Sequence, residues 1–236
     1  MILEKIKDIN MHEAIIARHS VRKYFSKTIP SDVLEKLKEL ISDCNKDGQL
    51  NIQLVTKEKK AFNGIFAYGK FYGVENYIVM IGKKSNDLDE KVGYYGEQIV
   101  LYAQSLGLNT CWAGLSYKKV ENSFSLTEKE KVACMISIGY GENQGIQHKC
   151  KSITQISNAS EQTPNWFRKG VESALLAPTA VNQQKYNFRY AGLNQDGKHI
   201  VIANRGFSLI GYTHMDLGIA KLHFEIGAGK ENFVWA

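Results

Sequence analysis

The chain repeats itself, and that repeat limits its fold more than any single motif. With Pro164 laid on Pro30 without gaps, Leu37 falls on Val171, Leu40 on Ala174, Ile41 on Leu175 and Leu54 on Phe188. Further along, Gly93–Tyr94 matches Gly211–Tyr212 and Leu106–Gly107 matches Ile226–Gly227, with a two-residue gap between. Each copy reads helix, strand, strand, helix. The alternative is a chance likeness of two amphipathic patterns. The copies lie in a first half at 1–147 and a second, shorter half at 164–236. The stretch 148–163 is polar and irregular and reads as a linker.

Local signals place the elements. Asn10 with Glu13 forms a near capping box and predicts a helix over 11–18. A second helix follows Pro30 and Ser31, with Val33, Leu37, Leu40, Ile41 and Cys44 on one face. Residues 51–55 and 77–81 read as strands, and 89–106 as a long buried helix stopped by Gly107. Thr127 with Glu130 repeats the cap signature ahead of a central strand at 132–138. In the second half, 165–176 reads as helix and 187–191 and 199–203 as strands. Residues 213–226 read as a helix ending at Gly227.

Composition excludes several classes. The 236 residues are 44% hydrophobic and 23% charged, the balance of a soluble globular protein, and three prolines exclude collagen-like and Pro-rich chains. The longest uncharged run, 98–117, is broken by polar residues and is no membrane span. The N-terminus lacks an apolar signal core. Cys44, Cys111, Cys134 and Cys150 form no CxxC pair, so free thiols in a reducing cytoplasm are expected, without a metal site. The net charge of +6 comes mostly from scattered lysines, which reads as a solubilising surface rather than a nucleic-acid face.

Arginine is scarce, yet two of the five lie in Arg18-His19-Ser20-Val21-Arg22. Two guanidinium forks and a hydroxyl suit a phosphate, and in an extended segment residues 18, 20 and 22 share a side. An exposed basic helix end favoured by the macrodipole is the competing reading. Residues 177–188 follow a proline-limited helix with Thr179, Asn182, Gln183 and Gln184. These uncharged donors and acceptors suit the edge of a heterocycle, or an ordinary Asn turn. The Gly107–Leu115 segment offers small residues that let a ring approach the backbone, or simple packing. Gly139-Tyr140-Gly141 is a broken dinucleotide fingerprint, with Gly145 misplaced. There is no HExxH, GxSxG, Walker loop or carboxylate dyad.

Taken together, these segments resemble the FMN-dependent nitroreductase family. Arg18–Arg22 resembles the family's RxSxR/K start. Ala177–Phe188 resembles its APSxxNxQPWxF loop, with Thr179 for Ser, Lys185 for Pro and Tyr186 for Trp. Gly107–Leu115 is similar to GLGTCWIG, Leu126–Gly139 looks like the family's cap-plus-strand, and Lys149-Cys150-Lys151-Ser152 is a degraded basic segment. One departure concerns order. In the family the polar loop follows the first helix, where this chain has DCNKDGQL at 43–50. The loop stands instead in the second repeat, which lacks an RxSxR segment. The chain thus resembles the single-chain branch of the family, which mimics the usual homodimer.

The resemblance implies an α+β fold with an antiparallel-dominated sheet covered by helices, in two related halves. It implies tightly bound FMN, hydride from NAD(P)H, and a nitroaromatic, quinone or similar small-molecule acceptor reduced by a ping-pong mechanism. The flavin N5 carries the chemistry, so no catalytic side chain is expected. The implied cofactor contacts are Arg18, His19, Ser20 and Arg22 at the phosphate end, with Lys149 and Lys151. At the ring they are Pro178, Thr179, Ala180, Asn182, Gln184, Gly114 and Leu115. A cytoplasmic monomer is expected, with weak further dimerisation possible and no membrane or nucleic-acid partner. The alternative is a non-catalytic FMN-binding or storage protein.

Overall fold

A computed structural model describes residues 9–63 and 70–236. Most of the N-terminal segment read above as lacking a signal core lies outside them. The chain divides into two compact units. One holds the residues up to Leu88 with Gln98–Gln147, and the other holds Asp89–Glu97 with His148–Ala236.

In the first unit, α1 (Met11–Ala17) starts where Asn10 Oδ1 accepts the Glu13 N–H at 3.2 Å. Helix α2 (Ser31–Gly48) follows Pro30 directly and buries Leu37, Leu40, Ile41 and Cys44, the face expected from their spacing. Asn45 then grips Ile52 through both backbone groups, at 2.6 and 2.9 Å, and turns the chain into β1 (Gln53–Val55). Strands β2 (Tyr77–Lys83), β3 (Asn109–Ala113) and β4 (Glu130–Gly139) complete an antiparallel sheet of order β1-β2-β4-β3. Residues 77–82 are fully buried, so β2 reads as a continuous apolar run rather than an alternation.

The Thr127–Glu130 signature caps no helix. The Glu130 carboxylate accepts the Thr127 N–H at 3.0 Å and its hydroxyl at 2.9 Å, while the Glu130 N–H returns to Thr127 O at 3.0 Å. This reciprocal pairing across three residues is the same in a cap and in a turn, and here the turn opens β4.

Helix α3 (Leu88–Ser105) is shared, with 89–97 in the second unit and 98–105 in the first. The second unit also contains α4 (Ile153–Ile156), α5 (Asn165–Ala174) and α6 (Thr213–Ala228). Strands β5 (Tyr186–Leu193) and β6 (His199–Arg205) pair antiparallel, and β7 (Val234–Trp235) adds in parallel beside β6. The stretch 148–163 is less irregular than its composition suggests. It holds α4 with a capping box from Ser152 and Gln155, and Ser157 bridges to Phe188. Phe167, Phe188 and Phe224 are fully buried and stack or pack edge-on at centroid distances of 4.7 and 5.6 Å.

Each repeat begins alike. Pro30 (φ −57°, ψ 150°) and Pro164 (φ −57°, ψ 143°) precede helices that have no side-chain cap bond. Later, the alignment of repeats must shift. Gly211 lies ahead of α6 at φ 80°, not inside it. The true counterpart of Gly93 is Gly218. A Cβ on Gly93 would land on Met215 O and 3.1 Å from Ile219 N, and one on Gly218 would land on Glu90 O and 2.9 Å from Tyr94 N. Each glycine thus meets the residue three before and the residue one after the other glycine. That reciprocity is the mark of an isologous contact about a local two-fold axis. Helix α6 also runs past Gly227 and stops at a positive-φ glycine, Gly229 (φ 76°), as α3 is followed by Gly107 (φ 78°). Gly227 lies inside the helix, where a Cβ would meet Lys169 O at 2.6 Å and Ser173 Cβ at 2.6 Å.

The second unit buries an ionisable pair. His223 Nε2 lies 3.0 Å from Glu97 Oε1, and both side chains have no exposure. His223 Nδ1 donates to Ser173 O at 3.2 Å. Among the described residues, no helix is long and apolar enough to cross a membrane.

Candidate functional site

In the first unit, Arg18 closes α1, donating its N–H to Ala14 O at 2.9 Å, and is 3% exposed. The chain then runs beside β3. Ser20 bridges Thr110 in parallel, and the Val21 N–H donates to Thr110 O at 3.0 Å. Val21 and Tyr24 are buried and anchor this segment, the Tyr24 hydroxyl donating to Val21 O at 2.6 Å beside Ser137 Oγ at 2.8 Å. Arg22 is exposed and Ser20 half-buried.

Burial pushes the Cys111 thiol up, and the Arg22 charge, a Ser20 hydrogen bond and the Arg18 charge oppose it. Arg18, Ser20 and Arg22 lie on one short segment that is bridged to β3 at Thr110, next to Cys111. Burial first and then the Arg18 charge lower the His19 imidazole. The loop after β4 closes over this segment. Asn109 accepts the Gly141 N–H and donates to Gln144, both at 3.0 Å, and the Glu142 N–H donates to Lys23 O at 2.9 Å. The Gly139-Tyr140-Gly141 triplet serves this closure. Past β3, Gly114 is half-buried and Leu115 is 79% exposed.

In the second unit, the 177–188 loop is held in an unusual backbone. Val181 (φ 46°), Asn182 (φ 57°) and Gln184 (φ 46°) all occupy the left-handed region, a strained choice for a β-branched valine above all. Side chains hold it there. Gln184 is 3% exposed, and its amide is spent within the unit. It accepts the Lys151 N–H at 2.9 Å and donates to Lys149 O and Asn182 Oδ1, both at 2.8 Å. Asn182 donates to Lys149 O at 2.9 Å, and Lys151 Nζ donates to Gln184 O at 2.6 Å. Burial, then Lys185, lowers the Lys151 ammonium. Thr179 Oγ1 accepts the Gln184 N–H at 3.1 Å and keeps its own proton to donate. Pro178 is buried, Ala180 half-buried and Lys149 exposed.

The structure therefore brings Lys149 and Lys151 together with Thr179, Asn182 and Gln184. It also shows a residue the sequence reading missed. Asp216, 3% exposed in the first turn of α6, accepts the Ala180 N–H at 3.0 Å and Gln183 Nε2 at 2.7 Å. Burial raises its carboxyl to about 6, against the pull of those two bonds. An acid in a helix's first turn reads as a macrodipole partner, so sequence carried no sign of this task. Next to it in the same unit, His148 Nε2 and the Cys150 thiol converge on Leu175 O at 3.0 and 3.3 Å.

A family model described as "Putative TM nitroreductase" matches residues 10–228. The chain belongs to the nitroreductase family. A solved nitroreductase of this kind from Thermotoga maritima is similar at 26% identity and a TM-score of 0.61, over 94% of this chain and 85% of that one. A nitroreductase family protein from Clostridium difficile 630 shares the fold at 18% identity and a TM-score of 0.50, over 66% of this chain and 100% of that one. One from Desulfovibrio desulfuricans, solved in complex with FMN, shares it at 15% identity and a TM-score of 0.51, over 66% and 99%. No curated protein matches the chain. The expected α+β nitroreductase-like fold is the fold observed.

Proposed function

We propose that this nitroreductase-family chain is an FMN-dependent oxidoreductase that takes hydride from NAD(P)H and reduces a nitroaromatic, quinone or similar small acceptor. The observation that supports the reading is the placement of Arg18, Ser20 and Arg22 on one short segment bridged to β3 at Thr110. Two cationic forks and a hydroxyl at that spacing match the donor demand of a phosphate monoester. FMN, when bound, supplies the hydride-accepting and electron-delivering ring.

The chain's own residues hold and orient. Arg18, Ser20 and Arg22 take the phosphate, with Lys149 as a further cation. His19 packs against Gly145, where an added Cβ would lie 2.7 Å from the His19 Cβ. The 177–188 loop presents the neutral polar edge suited to the ring. Thr179, whose hydroxyl still has a proton to give, is the donor, and Pro178 and Ala180 supply close backbone. Asn182 and Gln184 act by fixing the loop, since their amides are engaged there. Gly114 and Leu115 offer backbone contacts. The site binds NAD(P)H and acceptor in turn, so the kinetics are ping-pong. The protein works as a cytoplasmic monomer with one FMN per chain, a setting consistent with four cysteines that form no CxxC pair.

The test is flavin binding. Arg22→Ala, at an exposed position, should weaken FMN roughly tenfold to a hundredfold, the loss of one charge-assisted phosphate contact. Riboflavin, which lacks the phosphate, should bind the variant as it binds the parent. Equal losses for both ligands refute the phosphate assignment. Intersecting rather than parallel double-reciprocal lines refute the shared site. FMN binding without any NAD(P)H oxidation leaves a storage protein.

A further inference from the structure

The crossing of α3 and α6 is symmetric in its backbone contacts and asymmetric in its polar side chains. Under the two-fold relation that pairs Gly93 with Gly218, Glu97 corresponds to Leu222 and His223 to Gln98. Glu90 likewise corresponds to Met215 and Lys221 to Gly96. At the crossing, two acids on α3 therefore find their basic partners on α6. Glu90 meets Lys221 at 2.6 Å, and Glu97 meets His223 at 3.0 Å. The first pair is partly open to solvent, whereas neither side chain of the second has any exposure.

A fully buried pair of this kind is a poor source of stability. Taking both polar groups out of water offsets most of their mutual attraction, and apolar residues of similar volume often serve a fold as well or better. What such a pair does well is to tell one partner from another. The apolar residues of the crossing cannot do so. Met215, Ile219 and Leu222 are buried on α6 and would pack against either helix.

The same symmetry gives the contacts of the wrong pairings. Against α6 of a second copy, His223 would meet Leu222 and Lys221 would meet Met215. Glu225, 3% exposed, would meet Ile219 in place of Tyr94. The His223 Nε2 would then be buried against an aliphatic side chain with no partner, a cost that pairing with α3 avoids. Two copies of α3 would set Glu97 against Gln98 and Glu90 against Gly96, with both basic partners lost.

We propose that the Glu97–His223 pair is a partner lock. It makes the α6 face accept residues 89–97 of α3 and refuse α6 of a second copy, and so keeps the crossing within one chain. The assignment rests on the monomer reading above and adds the residues that enforce it.

Refolding from urea at high micromolar concentration, followed by light scattering, tests the lock. The parent should refold to the 26.6 kDa chain. Glu97→Met/His223→Leu should match or exceed the parent's urea midpoint, and a species of twice the parent mass should appear and grow with concentration. Glu97→His/His223→Glu keeps one acid opposite one base and should refold to the single chain. An apolar variant that stays monomeric, has a lower midpoint or does not fold overturns the lock and leaves an ordinary stabilising contact. A dimeric swap variant overturns it too, since opposite partners would then not select. A parent that is itself dimeric refutes the monomer reading. In that case a gain in mass over the parent in the apolar variant, and none in the swap, still decides the lock.

Discussion

Asp216 shows how one side chain sets both local shape and pH response. Its carboxyl sits at about 6 in the folded protein because burial disfavours its charge, against an ordinary value of 3.8. Between about pH 4 and 6 the folded chain therefore keeps a proton that the unfolded chain has released. Its contribution to stability is full below that window and is lost as pH rises through 6. The shift corresponds to a few kcal/mol at most. Urea midpoints measured at pH 4 and pH 7 should show this difference in the parent and lack it in Asp216→Asn. An unchanged pH slope in the variant would assign the effect elsewhere. Asp216→Asn also sets an amide N–H against Gln183 Nε2, so FMN affinity should fall even at pH 7. The sequence marked Gln184 as a ring contact because a neutral amide in a loop is versatile. It could not show that both ends of that amide are used 33 to 35 residues away, on the 149–151 backbone. Pairings at that separation leave no periodic trace.

At the scale of elements, periodicity found nearly every helix and strand but misplaced one register. Pairing Gly93 with Gly211 rather than Gly218 is an error of seven residues, two helical turns. A slip of two turns leaves the apolar face where it was. What separates the two choices is backbone contact, which a hydropathy pattern does not record. The contact has a measurable consequence. Gly93→Ala and Gly218→Ala each drive a methyl group onto a backbone carbonyl of the facing helix, where no side chain can move aside. Each should prevent native folding or lower stability by several kcal/mol, the range of severe overpacking. Gly107→Ala meets nothing within 4 Å and carries only the strain of φ 78°, about 1–2 kcal/mol. Equal urea midpoints for Gly93→Ala and Gly107→Ala would show that the helices can separate to admit a side chain.

The whole molecule does not part at the 148–163 boundary that the sequence suggested. The second unit includes 89–97, and that segment supplies partners to α6. Glu97 faces His223, Glu90 pairs with Lys221 at 2.6 Å, Tyr94 donates to Glu225 at 2.5 Å, and Gly93 admits Gly218. A fragment of residues 148–236 alone would leave His223 and Glu225 without these partners. Losing one member of a buried pair costs about 3–5 kcal/mol, a large share of a domain's stability. That fragment should show no cooperative thermal transition by circular dichroism, and adding a 1–147 fragment should restore one. A sharp transition in 148–236 alone would mean the second unit stands without 89–97. That 89–97 belongs with the second unit leaves no trace in the spacing of apolar residues, because it depends on which surface the helix meets.

The reciprocal contact of Gly93 and Gly218 also bears on inheritance. In a dimer of identical chains, one mutation strikes both sides of the symmetry axis at once, and a segment lost from one subunit is lost from both. In a single chain that coupling is absent: each helix of the crossing has its own codon, and a change on one side leaves the other as it was. The paired arginines stand only between α1 and α2, and the Thr-Ala-Val-Asn-Gln-Gln turn only before β5. A symmetric pair of either half would therefore carry one of these segments twice and the other not at all.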